Sequence, residues 1–387
     1  MIQWVLVILV IVSWVYCLVS LWLTWTFFRH AQDRHSDFTP PVSILKAVKD
    51  VDAEEYENFA SFCRQDYPEY ELLFGVANAS DPVIGVVKRL QRDFPERHIR
   101  LVVHQPEHLN RKASMLEELS KLARYDVLAA SDSDMRVSRD YLRRVVAPLK
   151  DEHVGLVTCP YRADRPFTFT ARLEALHMGV TFLPYVMVGR KFLNMRFALG
   201  STNVLRRADL ERIGGFAAVA DFLADDYQLG KQIAQTGLSV YLSDYIMISV
   251  LGPTTFEEQW DRELRWAQCT RMSRPLEYPG LVLSFTIPLA VVLLLVSGMA
   301  PWAWNVLLLS LVWRGITAYA TTFLTNDTVS RHWLFWLPLR DMLSALVWCA
   351  GLVGKKVTWR GEQFLLDYQG HLLPLDQTKE KRKWYWG

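Results

Sequence analysis

From Met1 to Phe28 no side chain carries a charge, and this stretch restricts what the chain can become more than any other. Crossing a bilayer core takes about 20 apolar helical residues, and in lipid every backbone N–H and C=O must be satisfied within the segment, which makes the stretch a helix. Residues 1–28 are therefore expected to form a transmembrane helix. A cleavable signal peptide has basic residues ahead of a short apolar region and a small-residue cleavage site behind it. Here Arg29, His30 and Arg34 follow the segment instead. Positive charge favours the cytoplasmic side, so the N-terminus is expected outside and the following residues in the cytoplasm.

The whole chain is 51% hydrophobic and 13% aromatic, too apolar for one soluble domain and too polar for a protein lying wholly in lipid. A net charge of +2 calls for no nucleic-acid partner, and 15 Trp suit anchoring at a membrane interface. Cys17, Cys63, Cys159, Cys269 and Cys349 are scattered without CxxC spacing. That argues against a zinc site or a disulfide framework and for a reducing, cytosol-facing body.

Residues 40–279 alternate in the manner of an α/β domain. Strand patterns at 42–45, 70–76, 99–103 and 125–130 are separated by helical patterns at 54–64, 82–90 and 111–123, with Asp81 as the cap of the second helix. Repeated βα units predict a doubly wound sheet that binds ligands at the carboxyl ends of its strands. Ser131-Asp132-Ser133-Asp134 falls at such an end. Leu176 to Val188, with Pro184, is too short to span and is expected to lie in the membrane plane or be buried. Apolar stretches follow at 281–296, 302–324 and 333–353, giving a block of transmembrane or interfacial helices at 281–353 and a basic tail at 354–387. Arg340 and Asp341 within the last stretch are costly in lipid unless they face protein. Three spans would leave the C-terminus outside, whereas Lys355, Lys356, Lys379, Lys381, Arg382 and Lys383 argue for inside.

Three polar motifs carry chemistry. Asp132 and Asp134 project from one turn and, with a diphosphate, can hold a divalent ion through oxygen ligands, although a solvated acidic loop has the same composition. Asp225 and Asp226 open a helical run, where the helix dipole favours the ionised form and leaves a general base for an acceptor hydroxyl; ordinary capping explains them equally. Arg262, Arg265 and Trp266 share one face of a helix. Paired guanidinium groups suit diphosphate capture and the indole can stack on a ring, while an interfacial helix would also place them there. Gly200 and Ser201 shape a pocket or simply a turn. In this order, the motifs suggest a nucleotide-sugar transferase at a membrane surface.

The blocks PPVSILKAVKDVD, DYPEYELLFGVANASDP, SDSDMRV, GLVTCPYRAD, LADDYQLG and RELRW resemble those of family 2-type inverting glycosyltransferases, and more closely those of the ceramide glucosyltransferase family. WRGEQFLLDYQG at 359–370 is similar to the closing block of the bacterial hopanoid-associated glycosyltransferase branch. The resemblance implies a GT-A fold, α/β with a doubly wound mixed sheet, and transfer with inversion from a UDP-sugar to the hydroxyl of a membrane lipid, ceramide or hopanoid. It implies that Asp81 contacts the uridine, Asp132 serves the donor sugar and the metal (Mg2+ or Mn2+), and Asp134 completes the metal site. Asp226 is the implied base, and Arg262, Arg265 and Trp266 the closing motif. Apart from the resemblance, Gly200, Ser201 and Asp225 are expected to line the pocket. Asp134 stands where animal enzymes of the family resemble DSG. In Asn110-Arg111-Lys112-Ala113-Ser114-Met115 the family's NPK pattern is altered, although Lys112 can still approach phosphate. The expected location is a bacterial inner membrane with the catalytic domain in the cytoplasm. A hopanoid-associated N-acetylglucosaminyl transferase, a polyprenyl-phosphate sugar transferase and a polysaccharide synthase are the alternatives.

Overall fold

The computed structural model describes residues 1–29, 37–192, 195–354, 356–359 and 362–374. His30, Arg34, Lys355 and the tail beyond 374 lie outside them. The chain divides into two compact units, one of Ala31–Asp164 and Leu193–Gly252, the other of Met1–His30, Arg165–Phe192 and Pro253–Gly387.

Among the described residues the first unit is built on ten strands: β1 Val42–Ala47, β2 Tyr70–Val76, β3 His98–Val103, β4 Val127–Ser131, β5 Met135–Arg136, β6 Val154–Thr158, β7 Tyr161–Asp164, β8 Thr202–Arg206, β9 Ser239–Leu242 and β10 Met247–Val250. Seven form one sheet in the order β3-β2-β1-β4-β8-β6-β9. β1 to β4 are mutually parallel and are linked by the helices Glu55–Cys63, Val83–Asp93 and Arg111–Leu122. Successive side chains of a strand point to opposite faces. Ile44, Leu72 and Phe74 accordingly join Phe59 and Phe62 in the core on one side, and Leu45, Leu73 and Leu128 join Leu116 and Leu119 on the other. Burial on both faces explains why these strands read as continuous apolar runs. The fold is the expected mixed α/β sheet.

β8 breaks the parallel order, running antiparallel to both β4 and β6. Because Ser131 pairs with Thr202, the chain entering β8 through Gly200 and Ser201 meets the edge where β4 ends. A small second sheet, β5-β10-β7, closes over the residues after β4, and Val250 N–H donates to the Asp134 carbonyl at 2.9 Å.

In the second unit the helices Ile2–Arg29 and Pro301–Leu324 are long and apolar enough to cross a membrane. Tyr278–Ser284 and Thr286–Val296 qualify only as a pair, bent by 80°. Val10 packs against Leu289, Ala290 and Leu293. The short apolar segment is part of a longer helical run, Phe169–His177, a π turn at Met178–Phe182, then Leu183–Phe192; its Val180 is buried against Ala318 and Leu337. The stretch at 333–353 differs from a single span. Its regular part, Leu337–Gly351, has 15 residues, about 22 Å at 1.5 Å per residue and short of a hydrocarbon core of about 30 Å. Its two charges face protein: Arg340 makes a fork with Glu263 at 2.8 and 2.7 Å, and Asp341 accepts from Arg314 at 2.9 and 3.1 Å. After residue 253, therefore, the described residues offer one helix and one bent pair that are long and apolar enough to cross a membrane.

Gly230, in the helix Asp225–Gln235 of the first unit, lies so close to the chain at 197–198 that a Cβ would overlap the backbone of Ala198 and Phe197. Backbone cannot step aside as a flexible side chain can. Gly230→Ala is expected to destabilise this unit by about 1–3 kcal/mol, the range for overpacking, seen as a lower unfolding temperature by scanning fluorimetry; an unchanged temperature contradicts the close approach.

Candidate active site

Asn110 starts the helix Arg111–Leu122. Its side-chain oxygen accepts from Ala113 N–H at 3.0 Å and its amide donates to the Phe222 carbonyl at 2.9 Å. This cap holds the first turn without the proline expected at 111, and Lys112 in that turn reaches Asp132 Oδ1 at 2.5 Å and Asp225 Oδ2 at 3.8 Å. Burial pulls the Lys112 ammonium down, but Asp132 and Asp225 together outweigh it and hold the group above the usual lysine range.

Asp132 follows β4, and its N–H donates to the Ser201 carbonyl at 3.4 Å. Ser201 Oγ is tied to the Cys159 carbonyl at 2.8 Å. A Cβ built on Gly200 would lie 3.1 Å from Asp226 Oδ2 and 3.4 Å from Asp132 Oδ2, so the two carboxylates meet at this glycine. Asp132, Asp225, Asp226, Lys112, Gly200 and Ser201 thus form one cluster from four separate segments.

Asp226 Oδ1 accepts the N–H of Tyr227 at 2.8 Å. Its position at a helix start predicts an ionised carboxylate, yet burial, with the neighbouring Asp225 charge, pushes its pKa up to about 7 against the opposing pull of Lys112. Desolvation of a buried carboxyl outweighs a helix dipole. Asp134 is likewise raised to about 6, by burial and by Asp132, although Ser249 Oγ donates to Asp134 Oδ2 at 2.8 Å.

Asp81 stands apart from the cluster. Its carboxylate accepts from Val83 N–H at 3.0 Å, starting the helix as expected, and from Asp50 N–H at 3.1 and 3.2 Å. Between it and the Asp132 turn are two groups that the motif reading passed over. Lys46, at the end of β1, is buried, donates to the Asp132 carbonyl at 2.8 Å and sits 3.7 Å from the Phe62 ring centroid; burial lowers its pKa to about 7. Glu55 is raised to about 8 by burial and by Asp52. A lysine inside the apolar run Val-Ser-Ile-Leu-Lys-Ala was a visible signal for the first; nothing in the sequence marked the second.

Arg262, Arg265 and Trp266 belong to the second unit, on the helix Phe256–Ser273 that begins with a capping box between Thr255 and Glu258. Arg262 pairs with the buried Glu174 at 3.0 Å. Glu263, the central acid of the motif, points inward to Arg340 and accepts from Gln259 at 2.8 Å. Among the described residues no group of three or more His, Cys, Asp or Glu side chains could hold a metal unaided. Asp132 and Asp134 nevertheless fit the pattern of Mg2+ and Mn2+ sites, in which one or two carboxylates are completed by phosphate oxygens and water.

The model of Glycosyl transferase family 21 matches residues 5–372. Ceramide glucosyltransferase 3 of Caenorhabditis elegans is 25% identical over 370 residues, covering 91% of this chain and 78% of its own length. Beta-monoglucosyldiacylglycerol synthase of Trichormus variabilis is 24% identical over 265 residues, 66% of this chain and 54% of that protein. Among solved structures, the mannosyltransferase PcManGT from Pyrobaculum calidifontis, in complex with GDP-Man and Mn2+, has a TM-score of 0.53 at 18% identity, covering 89% of this chain and 98% of its own. That last likeness concerns the fold.

Since the Lys112 charge lowers the Asp226 pKa, Lys112→Met is expected to move the Asp226 titration midpoint above about 7. Carboxyl NMR of protein labelled at aspartate, compared with an Asp226→Asn control for assignment, reads the shift; an unmoved midpoint contradicts the coupling.

Proposed function

As a member of glycosyl transferase family 21, this chain is a ceramide glucosyltransferase-like enzyme, and we propose that it transfers a hexose from a UDP-sugar to the hydroxyl of a membrane lipid, with inversion. The observation that carries this reading is the meeting of Asp226 and Asp132 at Gly200. It joins a buried carboxylate able to exchange a proton near neutrality to the acidic turn that serves the donor. The relatives named for glucosylation of ceramide and of a diacylglycerol support a lipid acceptor with a free hydroxyl.

In the proposed reaction Asp226 takes the proton of the acceptor hydroxyl, and the oxygen attacks C1 of the sugar from the face opposite the UDP. The C1–O bond to UDP breaks as the new bond forms, UDP leaves with the electron pair, and the configuration inverts. A base whose pKa lies near the working pH suits this step. Lys112 presents a fixed positive charge beside Asp132, where it can meet diphosphate oxygens, and it costs no reorganisation during reaction. Asp81 serves the uridine, and Arg262, Arg265 and Trp266 serve the diphosphate and the acceptor entrance. A divalent ion held by Asp132 and Asp134 would neutralise charge developing on the departing diphosphate.

Asp226→Asn is expected to abolish glycolipid formation, followed by mass spectrometry of lipids from a host supplied with ceramide or hopanoid polyols, while UDP binding stays close to wild type. Substantial residual turnover would favour an acceptor that is already ionised, such as a polyprenyl phosphate. In the wild type, a base that must be unprotonated gives a rate that rises with pH through about 7 and falls on the acid side. EDTA is expected to stop turnover and added Mg2+ or Mn2+ to restore it.

A further inference from the structure

Lys46 interrupts the apolar strand β1 just before its end, and the strand period fixes where its side chain goes. It shares a face with Ile44, the face packed by Phe59 and Phe62, and it is 1% exposed. Its ammonium sits 3.7 Å from the Phe62 ring centroid and 5.8 Å from that of Phe59. An ammonium has several protons to donate. Among the described residues, however, Lys46 makes a single hydrogen bond, to the Asp132 carbonyl at 2.8 Å, and no ion pair. Burial disfavours its charge, which Asp132, Asp134 and Glu55 favour through space. A charge so placed does little for the fold, because exchanging buried ions for apolar side chains of similar volume is often neutral or stabilising.

What the ammonium holds is the peptide between Asp132 and Ser133. In the ladder with β4, Leu45 is level with Ala130, so the next residue reaches past the strand into the acidic turn. That turn is secured at both ends. Asp132 donates its N–H to the Ser201 carbonyl and offers its carboxylate to Lys112. Asp134 receives Ser249 Oγ on its carboxylate and Val250 N–H on its carbonyl. Ser131 Oγ comes within 3.5 Å of the Asp132 carbonyl but bonds the Ser201 carbonyl at 3.1 Å, and its single proton serves the nearer acceptor. Lys46 is therefore the main restraint on the peptide that sets how the two carboxylates stand relative to each other.

We infer that Lys46 is a positioning residue for the donor: through the Asp132 carbonyl it fixes the spacing of the Asp132 and Asp134 carboxylates that take up a divalent ion with a diphosphate. The inference rests on the proposed function in taking this turn as the seat of the donor. By its charge alone, a nearby ammonium repels a divalent ion. Removal of Lys46 thus has opposite signs in the two cases. Uptake of the ion weakens if the residue positions the turn and tightens if it acts only as a charge.

Asp followed by Ser occurs once in the chain, so full-length protein labelled with carbonyl-13C aspartate and 15N serine gives one NMR resonance, from the Asp132–Ser133 peptide. Lys46→Met is expected to move that carbonyl upfield, to leave the unfolding temperature equal or higher, and to weaken Mn2+ binding in the presence of UDP. The loss, read from the EPR signal of free Mn2+, is expected to be about tenfold, the scale of one hydrogen bond made by a charged group. Should this variant fail to fold, Lys46→Gln, polar but too short for the carbonyl, is expected to show the same loss. An unmoved carbonyl, or Mn2+ binding unchanged or tighter in a folded variant, would overturn the inference and leave the proposed function standing. Failure of both variants to fold would overturn it too, making Lys46 a residue of the fold. A wild type that takes up no Mn2+ beside UDP would defeat the donor reading of the turn, and the inference with it.

Discussion

Charge removed from water must find a partner or it costs several kcal/mol, and both units of this chain are organised around that requirement. In the sheet unit Lys112 is enclosed with Asp132 and Asp225. In the helical unit Arg340 forks onto Glu263 and Arg314 onto Asp341. These arrangements are specific because each carboxylate comes from a different segment from its cation. A helix or loop out of place would strand a buried charge, so the pairs select one packing out of the many that apolar surfaces alone would tolerate. Their use differs between units. Around Lys112 the carboxylates outnumber the cation, and burial together with the Asp225 charge raises the Asp226 pKa and gives it a proton to exchange, whereas the pairs in the helical unit are matched one to one and leave little net charge among apolar helices.

The reversed strand β8 is the topological step that assembles the site. Four parallel strands alone would end at β4 with Asp132 at an open edge. Antiparallel pairing of Thr202 with Ser131 carries the preceding Gly200 to that edge, and the helix bearing Asp226 packs close enough for the two carboxylates to share the space a side chain would fill. Gly230, pressed against the backbone at 197–198, keeps the helix at that distance. Removal of Cβ atoms at two positions is thus what lets acidic groups distant in sequence approach one another.

RELRW illustrates how a motif mixes roles that its letters do not separate. Spacing put Arg262, Arg265 and Trp266 on one helical face, and the helix forms as expected. The glutamate between them is buried and anchors the helix through Arg340, and Arg262 is itself engaged with Glu174. Neither partner could be read from the motif, because Glu174 and Arg340 are distant in the chain and carry no local signature. Arg340 and Asp341 were visible as an anomaly in an apolar stretch; what resolves the anomaly, protein on both sides, is a tertiary fact.

Periodicity, apolar length and turn chemistry are properties of neighbouring residues, so the sequence by itself determined the strands β1 to β4 with their helices, the long apolar segments, and the acidic and basic motifs at strand and helix ends. Distances between segments are not local properties. Only the tertiary structure decided that β8 runs backwards beside β4, that Lys112 meets Asp132 despite the altered Asn110–Met115 loop, and that Lys46 lies buried beneath the acidic turn. It also decided the state of Asp226: position at a helix start predicts an ionised group, while burial and a second carboxylate raise its pKa to about 7. Desolvation depends on everything packed around a group, and no spacing within the sequence encodes it.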